Sequence, residues 1–201
     1  MGWAFHNSVP NNPDAMTDEE VLVRIERLTH RLMGFWKNAH GWASIEAAGL
    51  LNKSMLEVQS SLATSLKKWV ACESDGDLVL AWVNLGTLVE GALKLHLSVF
   101  YDDYKADPEA VKVKGKVKDP DGVRLNDLKM FFEKRIWAEG SPMREYVKLV
   151  QERRNTVHAF KDKEIGSFAE FKQAIRQHLI FLRSINAMLP YPDDMYQPRE
   201  D

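Results

Sequence analysis

Residues 78–104 read LVLAWVNLGTLVEGALKLHLSVFYDDY. This is the most apolar stretch of the chain, and its length decides the fold class. Strands run about 4–8 residues, so an apolar run this long reads as helix. Apolar residues fall on nearly every side of it, which marks a helix covered by neighbours rather than one lying on a surface. The turn signal SDGD at 74–77 precedes it and Pro108 lies just beyond. The expectation is a central helix over Leu78–Tyr104 with other helices packed around it.

Working outward, the rest of the chain supplies those neighbours. Towards the C-terminus, 106–123 holds VKVKGKVKDPDG, where Val and Lys alternate about Gly115. It reads as a small hairpin or as a basic loop. A short helix over Leu125–Trp137 follows, and then GSP, with Ser141 as N-cap and Pro142 in the first helical position. That helix is expected to run to about Ala159, with Met143, Tyr146, Leu149, Val150, Val157 and Phe160 as its apolar stripe. Ser167 and Glu170 make a capping-box pattern ahead of a last helix that buries Phe168, Phe171, Ile175, Leu179, Leu182 and Ile185 and ends before Pro190.

Towards the N-terminus, one long helical stretch is expected over Trp42–Cys72, carrying Ile45, Leu51, Met55, Val58, Leu62, Leu66 and Trp69 inward. Thr17 and Glu20 form a capping box for a first helix, with Val21, Ile25, Leu28, Leu32 and Phe35 at helical spacing. The resulting fold is all-α, an antiparallel up-and-down bundle of five to six helices. Its expected parts are a flexible arm at 1–16, one domain over 17–189 with a basic loop insertion at 106–123, and an extended tail at 190–201.

Composition excludes several function classes. The 201 residues are 45% hydrophobic and 28% charged, with net charge −2, so no global basic field calls for nucleic acid. Any such contact must be local. Cys72 is the one cysteine, which excludes an internal disulfide and a multi-thiolate metal site. No cofactor motif, metal-ligand spacing, secretory leader or apolar run of membrane-spanning length is read, and a cytoplasmic location is expected.

The chemistry concentrates in ERRNTVHAF, residues 152–160. Arg153 falls inside the apolar stripe, where a charge needs a partner or a wet groove. Arg154 and His158 are four apart, hence side by side on a continuous helix. Asn155 points further round. An imidazole moves a proton near neutral pH, and a guanidinium holds a phosphate. RNA brings its own nucleophile in the 2′-hydroxyl. On composition and spacing alone, a structural ion-pair cluster explains the same residues more simply, with Arg153 paired to Glu90, Glu152 or another acid. The four basic side chains Arg24, Arg27, His30 and Arg31 share a face of the first helix and read as a solvated surface. Lys112, Lys114, Lys116 and Lys118 could hold RNA backbone or simply keep a loop soluble.

Arg153 and His158, with four residues between, resemble the arginine–histidine signature of the HEPN superfamily. Glu90, Leu93 and Lys94 in LGTLVEGALKLHL resemble an earlier helix of that family, and RLNDLKMFFEK resembles the helix before the motif; the likeness spans roughly 75–188. The resemblance implies a HEPN-like bundle and a metal-independent endoribonuclease acting as a homodimer. Its catalytic set would be Arg153, Arg154, Asn155 and His158, supported by Glu90 and Lys94, with Arg153 ranked first for the phosphate. Implied roles are toxin of a toxin–antitoxin pair with a neutralising partner, phage defence, or RNA processing. Members that have lost cleavage bind RNA or nucleotides. The sequence departs from the pattern in placing Arg154 where a polar residue usually follows the arginine, with Asn155 one later. Phe160 stands where one toxin branch has a tyrosine modified by a nucleotidyltransferase. A non-catalytic binding module and a plain protein-interaction bundle are the competing readings.

Overall fold

The computed structural model describes residues 12–38, 43–158 and 164–201. Within them lie eight α-helices: α1 (Asp18–Lys37), α2 (Ile45–Lys53), α3 (Leu56–Trp69), α4 (Asp75–Val99), α5 (Tyr101–Ala106), α6 (Leu125–Arg135), α7 (Pro142–Arg154) and α8 (Phe168–Met188). The fold is an all-α bundle. Helix α4 is its axis and packs against α2, α3, α6, α7 and α8. Trp82, Leu85, Val89, Ala92 and Leu93 are fully buried along it. By length and composition α4 alone among the described residues could cross a bilayer, which the sequence reading did not register. The bundle buries 61% of that stretch, the mark of a core helix.

The expected capping of α1 is present in full. Thr17 Oγ1 accepts from the Glu20 N–H at 3.2 Å, and the Glu20 carboxylate accepts from the Thr17 N–H at 2.7 Å. The stretch expected as one helix over Trp42–Cys72 is two. Ser54 adopts an extended backbone, and its hydroxyl donates to the Leu50 carbonyl at 2.9 Å, ending α2. Its Trp42 start lies outside the described residues. Leu51 and Leu66 are buried as expected, and Leu50, Leu56 and Ala63 join them. Ile45, Met55 and Val58, expected in the core, are exposed. The central run also breaks, at Phe100, before the short α5.

The Val–Lys alternation forms a hairpin, Lys112–Val113 against Lys116–Val117. Lys114 and Gly115 both take positive φ, 51° and 80°, as a tight two-residue turn demands. Lys112, Lys114 and Lys116 are exposed, whereas Lys118 is half-buried and its carbonyl accepts from the Tyr104 hydroxyl at 3.0 Å.

Both chain ends carry contacts that the sequence does not announce. Of the arm expected at 1–16, residues 1–11 lie outside the described set. Residues 13–15 form a 3-10 turn, Pro13 and Met16 are buried, and Arg176 of α8 donates to the Met16 carbonyl at 3.0 Å. The tail is docked rather than free. Glu200 pairs with Arg24 of α1 at 2.8 Å and Arg183 of α8 at 2.7 Å, and Arg31 donates to the Arg199 carbonyl. Asn186 donates to the Pro198 carbonyl at 2.9 Å. The basic face of α1 is therefore partly spent on the tail. Burial pushes the Glu200 carboxyl up, but the Arg183 and Arg24 guanidinium groups more than offset it and hold it below the ordinary value. Truncating Glu200 to Ala removes the carboxylate shared by two half-buried guanidinium groups, and a loss of about 1–3 kcal/mol is expected in urea titration. An unchanged midpoint would show the tail to be energetically idle.

Candidate functional site

Helix α7 positions the candidate residues. Ser141 Oγ accepts from the Met143 N–H at 3.3 Å, and Pro142 occupies the first turn as expected. Met143, Tyr146, Val147 and Val150 face the core. The helix stops at Arg154, five residues short of the expected Ala159, and Asn155–Val157 form a 3-10 turn. Thr156 causes this stop. Its side chain is buried, and its hydroxyl donates to the Arg153 carbonyl at 2.6 Å, occupying an acceptor of the last turn. A 3-10 turn has three residues per turn, so His158 is rotated away from the side-by-side relation to Arg154 that a continuous helix would give. His158 is exposed, and its N–H donates to the Asn155 carbonyl at 3.4 Å. Val157, expected in the buried stripe, is 44% exposed, and Phe160 lies outside the described residues.

The two arginines do different work. Arg153 is held completely. Its Nε and Nη2 donate to Glu170 Oε1 at 3.2 and 2.9 Å, Nη2 also reaches Oε2 at 3.2 Å, and Nη1 donates to the Glu164 carbonyl at 2.6 Å. Burial works against its charge, but Glu170 and Glu164 hold the guanidinium pKa above its ordinary value. The side chain is 13% exposed. This fork ties the end of α7 to the start of α8, and it changes the cap there. Ser167 accepts from the Glu170 N–H at 3.2 Å, but the Glu170 carboxylate is turned to Arg153 instead of back to the Ser167 N–H, so the expected box is half made. Gly166 permits the approach. Its φ is +75°, and a Cβ there would stand 2.2 Å from Glu170 Oε2 and 3.0 Å from Arg153 Nε.

Arg154 crosses α4 over Gly86 and donates from Nη1 to Glu90 Oε2. Glu90 Oε1 pairs with Lys94 Nζ at 2.7 Å, and Lys94 donates to the Asp121 carbonyl at 2.9 Å. Residues 86, 90 and 94 form one stripe at four-residue spacing, so a bare spot, an acid and a base line up beneath a single guanidinium. Burial raises the Glu90 carboxyl, and Lys94 and Arg154 more than reverse the effect, leaving it ionised and lowered. Nε and Nη2 of Arg154 carry no bond within the described residues, and the side chain is 29% exposed. The resemblance ranks Arg153 first for a phosphate; among the described residues Arg154, not Arg153, has donors to spare.

Gly86 supports a prediction of unusual sign. In an open helix Gly→Ala gains about 1 kcal/mol from propensity. Here the new Cβ would meet Arg154 Cδ at 2.5 Å and Cγ at 3.0 Å, the stem of the side chain rather than its tip. Overpacking of this kind costs about 1–3 kcal/mol. Gly86→Ala should therefore lower the thermal midpoint, and a raised midpoint would show that Arg154 does not lie there.

The structure thus brings Arg154, Glu90 and Lys94 together and leaves Asn155 and His158 on the exposed turn that follows. It assigns Arg153 to the framework. Lys94 is tied through the Asp121 carbonyl to the 3-10 turn at Pro120–Gly122 that follows the hairpin. Gly86, Thr156, Glu164 and Glu170 were missed by sequence reasoning. A glycine one turn ahead of Glu90 in an apolar helix was the one available signal. No group of three or more His, Cys, Asp or Glu side chains among the described residues is arranged to hold a metal. Scans against protein-family models, curated proteins and solved structures find no match to this chain.

Proposed function

We propose that the chain is a metal-independent endoribonuclease of HEPN type that works as a homodimer. Arg154 binds the scissile phosphate through Nε and Nη2, and Glu90 with Lys94 holds that guanidinium in place. His158 takes the proton of the ribose 2′-hydroxyl as the 2′ oxygen attacks the adjacent phosphorus. The 5′ oxygen leaves and takes a proton from the imidazole of the second copy, giving a 2′,3′-cyclic phosphate and a 5′-hydroxyl end. Asn155 lies beside both groups. Lys112, Lys114 and Lys116 attract flanking phosphates without reading bases. Such chemistry suits a toxin with a neutralising partner, a phage-defence effector or an RNA-processing factor.

The observation that carries this reading is the division between the arginines. One guanidinium is saturated by acids, and its neighbour is braced from one side with two donor positions unspent. Exposed apolar side chains on α4, which carries Glu90, and on the turn before His158 support pairing of copies. Leu80 is 50% exposed, half-buried Val83 and Thr87 continue its stripe along α4, and exposed Val157 immediately precedes His158.

A second reading is non-catalytic RNA or nucleotide binding, favoured by the Glu90 carboxylate already bonded to Arg154. Incubating the pure protein with RNA in EDTA separates the two. New 5′-hydroxyl and cyclic-phosphate ends are expected from the nuclease. Salt-dependent binding without new ends would support the second reading, and neither result would leave a plain interaction bundle.

A further inference from the structure

Residues 197–200 lie across α1 and α8, helices that carry none of the groups assigned to RNA, and they have no helix or strand of their own. The two helices meet this segment with a set of complementary groups. Asn186 donates to the Pro198 carbonyl at 2.9 Å, and Arg31 donates to the Arg199 carbonyl at 2.7 Å. Arg24 and Arg183 grip the Glu200 carboxylate from two helices, at 2.8 and 2.7 Å. Pro198 itself is buried. The groove thus offers a slot for a proline, donors for two successive backbone carbonyls, and a double guanidinium clamp for an acid two residues after the proline. Two arginines on one carboxylate make a strong, directional contact.

The receiving groups are set by the bundle and not by the segment they hold. Asn186 is buried, and its Oδ1 accepts from the Tyr191 hydroxyl at 2.6 Å. The Tyr191 oxygen in turn accepts from the indole N–H of buried Trp36 at 3.3 Å. This chain of bonds turns the amide so that its N–H group faces the Pro198 carbonyl, and a donor held ready in this way lowers the cost of binding. The occupant is held more lightly. Among the described residues after Leu189 only Pro198 is buried, and residues 192–196, which lead to it from α8, are exposed. Exposed Arg27, between Arg24 and Arg31 in α1, adds a cation to a face that already favours acidic chains.

We propose that the groove between α1 and α8 is a docking site for an extended peptide of another protein that carries an acidic residue two positions after a proline. Residues 197–200 are its intramolecular stand-in, and an incoming peptide displaces them. The short link at 190–196 keeps the stand-in at high local concentration, so it sets a threshold that weak or non-acidic peptides do not pass. The site is independent of the nuclease reading and stands or falls separately.

The test is fluorescence polarisation with the full chain and a labelled peptide of residues 193–201, DDMYQPRED. Glu200→Ala in the protein weakens the stand-in and leaves the clamp in place, with Glu200→Gln as a second, milder receptor. The peptide should bind Glu200→Ala about ten-fold more tightly than wild type, whose own segment competes. A peptide with Gln in place of its glutamate should bind Glu200→Ala about ten-fold more weakly, and this change cannot disturb the fold of the receptor. Rising salt should weaken the glutamate peptide more than the Gln peptide. No binding to either receptor, equal affinity for wild type and Glu200→Ala, or equal affinity for the two peptides would overturn the assignment. Light scattering covers one further occupant. A wild-type dimer that Glu200→Ala dissolves would give the groove to the tail of a second copy and overturn its assignment to another protein.

Discussion

Between pH 6.5 and pH 4 the protein should lose stability with a slope that approaches about 3 kcal/mol per pH unit near pH 5, from two histidines each contributing one proton. His178 is fully buried, lies 2.9 Å through Nδ1 from the Tyr146 hydroxyl, and stacks on Phe181. Its Nε2 has no hydrogen-bond partner among the described residues. Burial pushes its pKa to about 3, and that of His96 to about 4, from an ordinary 6.5. Above pH 6.5 folded and unfolded chains are both neutral at these sites, so their contribution is fully present. Below it the unfolded chain takes up two protons that the folded chain refuses, and stability falls until the folded pKa values are reached. Glu90 and Glu200, both lowered in the fold, add a further loss below their unfolded value of 4.5. A domain has about 5–15 kcal/mol in hand, and the two rings remove about 6 kcal/mol of it by pH 4, so the urea midpoint should fall sharply across this range. Urea titrations at pH 7, 6, 5 and 4 measure the slope. His178→Gln should halve it between pH 6 and 4. A stability that stays level from pH 7 to 5 would mean that both rings reach solvent.

The second large effect separates adjacent residues. Arg153→Ala removes a guanidinium bound to both oxygens of Glu170 and to the Glu164 carbonyl. It should cost about 2–4 kcal/mol, since a half-buried carboxylate is left unpaired. Arg154→Ala leaves Glu90 still paired with Lys94 at 2.7 Å, so its stability cost should stay near 1 kcal/mol. Their effects on RNA cleavage should run the other way. Arg154→Ala should lower the rate about 10²–10³-fold, the usual loss when a donor to a developing oxyanion is deleted. Arg153→Ala should retain most of its rate at a temperature where it is folded. A reversed order would return the phosphate role to Arg153.

This division marks the limit of what the chain discloses on its own. The all-α bundle, the central helix, the Thr17 cap and the Ser141–Pro142 start were legible from local residue patterns, and the Val–Lys alternation about Gly115 left a hairpin and a loop both open. The split at Ser54 was not, since one hydroxyl bonding back to Leu50 outweighed a periodic pattern that continued through it. The end of α7 was misplaced for a related reason: Thr156 is an ordinary helix residue until its buried hydroxyl takes the Arg153 carbonyl. The choice of partner for each arginine is a tertiary fact. Glu90 lies 64 residues before Arg154, and Glu170 lies 17 after Arg153. The family's motif spacing favours Arg153 and side-by-side helix geometry favours Arg154, and neither names the acid that each one meets. The docked tail was equally hidden, because nothing local tells Glu200 that it will meet Arg24.

The whole functional proposal turns on His158, whose side chain is exposed and whose removal should leave the fold alone. The direct measurement is the rate of RNA cleavage in EDTA by wild type and His158→Ala at matched thermal stability. A fall of about 10²–10⁴-fold, the range for loss of a general acid–base group, is the predicted result. Equal rates for the two proteins, with the same ends produced, would contradict it.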